Sequence, residues 1–176
     1  MSRFRLSSIA ALAAGILITT GGCAESPSAP VQVGAGLELL AVPQGPSFAT
    51  SATGAASRMI GPEGGVIELG ASRLVFPAGA VSQPTEIGMR ADGQYQGVRL
   101  SPHGLQFPAD AQPVLELRAV GAGAARNGLK VVYVDDANQI LEVLPTGRHG
   151  NTVSTHLQHF SGYLISSGRS SDINQP

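Results

Sequence analysis

The sequence predicts an all-β fold: one antiparallel β-sandwich of about eight to ten short strands over residues 59–167. Three observations predict it. Turn-forming Gly, Pro, Asn and Asp recur at intervals of roughly 8–12 residues. The composition, with 23 Gly, 12 Pro and no Trp, suits many turns and short extended segments better than long helices. The segments between turns alternate apolar and polar residues, and none of helical period competes.

Taken in order, Gly61-Pro62-Glu63-Gly64-Gly65 turns the chain into a short strand, Val66-Ile67-Glu68-Leu69. Arg73-Leu74-Val75-Phe76 is the next, stopped by Pro77-Ala78-Gly79, because proline ends a hydrogen-bonded ladder. From Thr85 to Ala91, Ile87, Met89 and Ala91 share one face, with Glu86 and Arg90 on the other. Gly97–Leu100 and Leu105-Gln106-Phe107 flank the turn Ser101-Pro102-His103-Gly104. In Val114–Ala119, Leu115 and Leu117 oppose Glu116 and Arg118. After the Gly/Ala loop 121–128, Lys130–Val134 and Gln139–Leu144 form a hairpin around Asp135-Asp136-Ala137-Asn138, residue types that tolerate tight turns. A last pair spans Thr152–Leu157 and Tyr163–Ser166.

Five of these pieces form an ordered set: Gly61-Pro62-Glu63-Gly64-Gly65-Val66, Leu74–Val81, Leu100–Phe107, Pro113–Leu117 and His159-Phe160-Ser161-Gly162-Tyr163. In this order they resemble the ZU5 domain, the β-sandwich module of ankyrins, netrin receptors and tight-junction scaffolds, which also occurs in bacterial surface proteins. The resemblance covers roughly residues 59–167 and is greatest to the stand-alone bacterial version. It implies a protein-binding role and carries over no partner-binding residue.

The resemblance also implies one reaction. Some ZU5-containing proteins cleave their own backbone between Phe and Ser in the triplet His159-Phe160-Ser161. There the Ser161 hydroxyl would attack the Phe160 carbonyl and displace its own amide nitrogen, giving an ester that water opens. His159 would take the hydroxyl proton, and backbone strain would lower the barrier. Apart from the family, Val153, Thr155 and Leu157 share one parity while Phe160 and Leu164 share the other, so a bulge or bend is expected between Leu157 and Phe160. The structural alternative makes Phe160 a core residue and His159 a hydrogen-bonding partner of a turn, and it is the expected one: no catalysis, and an intact Phe160–Ser161 bond.

Residues before the domain carry an address. Arg3 and Arg5 precede the apolar run 9–18, and Thr19-Thr20-Gly21-Gly22 lead to Cys23, the only cysteine. This is the layout of a secretory signal, residues 1–22, too short to span a membrane. Small residues before a lone cysteine resemble the bacterial lipoprotein cleavage box, in which the cysteine is acylated and becomes the mature N-terminus. The box departs from the usual pattern in having Thr20 where Leu is common. The alternative is an ordinary signal cut after Ala24, giving a secreted protein. Ala24 also occupies the place where Asp marks inner-membrane retention in some bacteria, which favours the outer membrane.

Residues 23–58, after lipidation at Cys23, read as a flexible Pro/Ser/Ala linker with a root-mean-square span of roughly 30 Å. Its one interruption is the apolar patch Leu37–Val42, whose simplest role is to dock on the domain. Residues 168–176 read as a disordered tail.

Composition excludes several functions. A formal charge of −1 leaves no polybasic patch for nucleic acid. A domain without cysteine holds neither a disulfide framework nor a Cys-ligated zinc. His156 and His159 are spaced so that a strand points them to opposite faces, and Asp135-Asp136-Ala137-Asn138 lacks the ligand count of a calcium loop, so neither a metal nor a cofactor is expected. His103 and His149 fall in turns and are read as solvent-facing. Carbohydrate binding, a further option for an exported sandwich, meets a shortage of aromatics: three Tyr and no Trp. The partners expected are the membrane, through the Cys23 lipid, and an unidentified envelope or surface protein.

Overall fold

Residues 36–44 and 54–168 are described by the computed structural model. Among the described residues, twelve strands form two antiparallel sheets packed face to face. One sheet runs β2 (Ala55–Ile60), β5 (Thr85–Ala91), β6 (Gly97–Ser101), β12 (Gly162–Gly168), β8 (Lys130–Val134), β9 (Ile140–Val143), with β1 (Leu37–Leu39) added to β12. The other runs β10 (Gly147–His149), β11 (Thr152–His156), β7 (Val114–Arg118), β4 (Ser72–Phe76), β3 (Gly65–Leu69). A short 3-10 turn, Gly121–Ala125, occupies the Gly/Ala loop.

The inward faces are those the alternation marks. Ile87 and Met89 on β5 share one core cluster with Leu115 and Leu117 on β7, Leu74 and Phe76 on β4, and Val153 on β11, and Ala91 on β5 is buried as well. The turn 61–65 needs its glycine: Gly64 has a positive φ of 82°, and a Cβ there would strike the Phe76 carbonyl and Pro77 backbone. A second, smaller cluster of Val132, Val134 and Leu164 lies on the opposite face of β8 and β12, against Leu37 and Leu39.

The boundaries shift from the expected ones. The linker was expected to reach residue 58, yet β2 begins at Ala55 and β1 lies wholly inside the linker range. The patch Leu37–Val42 docks on the domain. β6 pairs with Gly162–Leu164, and β1 then continues along the same edge of β12, pairing with Ser166–Gly168. Leu40 enters the main core, its N–H donating to the Ile165 carbonyl at 2.9 Å. The strand count exceeds the expected range because β1, β2 and β10 are too short or too polar to alternate visibly. Leu105-Gln106-Phe107 is a crossing with a single bridge, Gln106 to His159, instead of a strand. A register irregularity occurs between Tyr133 and Val134.

Candidate functional site

The triplet occupies the corner where the chain changes sheets. β11 ends at His156 in the five-stranded sheet, and β12 starts at Gly162 in the other. That passage explains the parity switch, since each sheet presents its own inner face to the core. The corner's backbone is tied throughout. Leu157 N–H donates to the Pro113 carbonyl (2.8 Å), Phe107 N–H to Gln158 (2.9 Å), Phe160 N–H to Leu105 (2.9 Å), and Leu100 N–H to Ser161 (2.9 Å). Gly104 N–H donates to the Phe160 carbonyl at 3.3 Å, placing a dipole on the group that an acyl attack would use.

The side chains divide sharply. Phe160 is 2% exposed and packs edge-on against Phe76 (centroids 6.1 Å) and Phe107 (5.0 Å). His159 lies half-buried, its ring edge-on to Tyr133 at 4.8 Å, with Nδ1 3.3 Å from Tyr163 Oη. Tyr163 also donates its hydroxyl proton to the His159 carbonyl. Burial, then the neighbouring Tyr133 and Glu142, pushes the Tyr163 phenol well above its ordinary pKa, so it stays neutral. Ser161 is buried, and among the described residues no hydrogen bond joins its Oγ to His159. The corner thus joins a donor to the Phe160 carbonyl with an imidazole engaged by tyrosine.

The remaining candidates lie apart. Cys23 and the signal fall outside the described residues, as do residues 169–176 of the expected tail 168–176, whose first residue, Gly168, instead ends β12 and pairs with Leu37. His156 is exposed at the end of β11, separated from the His159 ring by the corner. In the turn 135–138, Asp135 Oδ1 accepts from the N–H groups of Ala137 (2.9 Å) and Gln139 (2.8 Å), and Asn138 takes a positive φ of 61°. Among the described residues no group of three or more His, Cys, Asp or Glu converges. His149 is exposed on β10. His103 is exposed too, and it borders a depression shared with Arg90 and Arg99.

Two polar side chains, one buried and one partly buried, carry no motif in the sequence. Gln96 uses both ends of its amide: Nε2 donates to the Ala41 carbonyl (2.9 Å), and Oε1 accepts from Val120 N–H (2.8 Å). Arg99, with a side chain 12% exposed, pairs through Nε with Asp92 (2.9 Å), reaches the Asp135 carbonyl through Nη1 (2.9 Å), and donates to Asn138 Oδ1. A lone arginine within a short apolar strand was the available signal. No family model matches the chain, and no curated protein matches it significantly.

Proposed function

We propose that this is a lipid-anchored bacterial cell-envelope protein, attached through Cys23 and directed to the outer membrane. Its ZU5-like sandwich serves protein binding or surface architecture without catalysis. One observation carries the ZU5-like reading: Phe76, Phe107 and Phe160 come from three separate motif pieces and meet in a single aromatic cluster with centroids 5.0–6.1 Å apart. That meeting gives the ordered motifs a shared purpose in packing, which is the purpose a binding scaffold needs. The anchor reading rests on the apolar run and small residues before a lone Cys23. Stable attachment requires more than one acyl chain, as lipoproteins carry. Detergent phase partitioning tests it. The wild type should enter the detergent phase, and Cys23→Ala should remain an uncleaved precursor or leave the membrane. Aqueous partitioning of the wild type sinks the anchor.

A second reading, self-cleavage at Phe160–Ser161, is favoured by the Gly104 N–H on the Phe160 carbonyl. The lack of a hydrogen bond between Ser161 Oγ and His159 among the described residues argues for the structural role instead. Intact-mass spectrometry under denaturing conditions separates them. We expect one uncut species; a fragment starting at Ser161, absent in Ser161→Ala, would establish cleavage.

A further inference from the structure

The seven-stranded sheet turns a cationic depression to the outside. Arg90 on β5 and Arg99 on β6 are register partners, so their side chains stand directly opposite each other on one face. Like charges so placed in an antiparallel pair repel and destabilise it. Arg99 is compensated by Asp92, whose side chain is 5% exposed. Asp92 is itself committed, since its other oxygen accepts from the N–H groups of Gln94 (3.3 Å) and Tyr95 (3.0 Å). Asp136 stands 3.9 Å from Arg99, 99% exposed on the hairpin turn. Arg90 forms no salt bridge among the described residues, although it is exposed beside a second guanidinium.

Those two arginines and His103 border a depression of about 380 Å³. Ser57 and Ser101 line it as well, while Asp92 and Asp136 border an adjoining hollow that shares the two arginines and His103. Its floor is kept low by Gly88, the register partner of Ser57 and Ser101, where a Cβ would collide with Ser101 Oγ. An uncompensated guanidinium, a pinned second one, an imidazole and two hydroxyls around a hollow are matched by a carboxylate. We propose that this face docks a carboxylate-bearing, acidic peptide segment of a partner protein, with Arg90 as its charge-pairing anchor. This rests on the protein-binding reading above and names the chemistry of the partner.

The test uses the full chain, purified in detergent, and a fluorescently labelled oligoglutamate peptide followed by anisotropy. Saturable binding is expected, weakened by added salt and by about tenfold in Arg90→Glu, with no binding of oligolysine. Arg90→Glu places a carboxylate opposite Arg99, so it should fold with an unchanged or raised melting temperature, a gain that a purely structural Arg90 would not give. Absence of saturable binding, or equal binding by Arg90→Glu, overturns the proposal. So does competition by inorganic phosphate that exceeds acetate at equal ionic strength, which would assign the hollow to phosphate. Cross-linking in intact cells separates this failure from that of the broader reading. A partner captured equally by wild type and Arg90→Glu would leave protein binding standing and remove this surface from it.

Discussion

Replacing Phe160 by alanine removes a ring that two other segments hold in place. The ring is 2% exposed and makes edge-on contacts with Phe76 at 6.1 Å and Phe107 at 5.0 Å. Phenylalanine-to-alanine changes in cores cost about 3–5 kcal/mol, depending on how far the site collapses. Here collapse is resisted. The Phe160 N–H and carbonyl are bonded to Leu105 and Gly104, and the Phe107 N–H is bonded to Gln158. The two aromatic contacts add about 0.5–1.5 kcal/mol each beyond area burial, so the upper half of the range, about 4–5 kcal/mol, is expected. A urea slope of about 2 kcal/mol/M turns that loss into a midpoint lowered by about 2 M. Urea unfolding of the full chain by far-ultraviolet circular dichroism reads it, with Ser161→Ala as a control expected to lose under about 1 kcal/mol. A midpoint shift below about 0.5 M at unchanged slope would refute the closed aromatic corner.

Leu40→Ala should cost about 2–5 kcal/mol in the same assay, because Leu40 is buried in the main core; an effect near zero would mean that the docked segment lies outside the cooperative unit. Tyr163 gives a pH signature. Its raised folded-state pKa leaves stability complete below about pH 10, the ordinary tyrosine value. Above that pH the unfolded chain loses the proton while the native chain keeps it, so stability falls by up to about 1.4 kcal/mol per pH unit. Tyr163→Phe should flatten this alkaline slope in chemical denaturation at several pH values, and an unchanged slope would assign the proton elsewhere.

The strands that sequence reading located are those with strong alternation and near partners. Thr85–Ala91 and Lys130–Val134 match β5 and β8 residue for residue, and β9 is one residue shorter at each end than the expected Gln139–Leu144. Leu37–Val42 was legible as apolar but not as a strand, because its partner Ser166–Gly168 stands at the far end of the described chain. The switch of parity after Leu157 was visible, whereas its cause, a change of sheet, depends on pairings that no local window contains. For the candidate site, the triplet and Tyr163 lie within five residues and were seen together. Tyr133, which meets the His159 ring, arrives from β8 through tertiary pairing alone. Arg99 shows the same limit in part: Asp92 stands seven residues away, but Asp135 and Asn138 arrive from the β8–β9 turn through tertiary pairing, so the lone arginine signalled its burial without naming these partners.

The pairing of β1 with β12 also sets an order of events during biosynthesis. A chain emerging N-terminus first presents Leu37–Val42 long before Gly162–Gly168 exists to receive it. Until then, Leu37, Leu39 and Leu40 have no ladder to join, and the half of the β12 edge that they cover cannot form. The local hairpins, 65–76 and 130–143, close short loops, whereas closure between the first and last described strands carries the largest loop entropy. An apolar segment that waits for its partner is one that a chaperone would have to shield, and a truncated product lacking the final strand would leave it permanently bare.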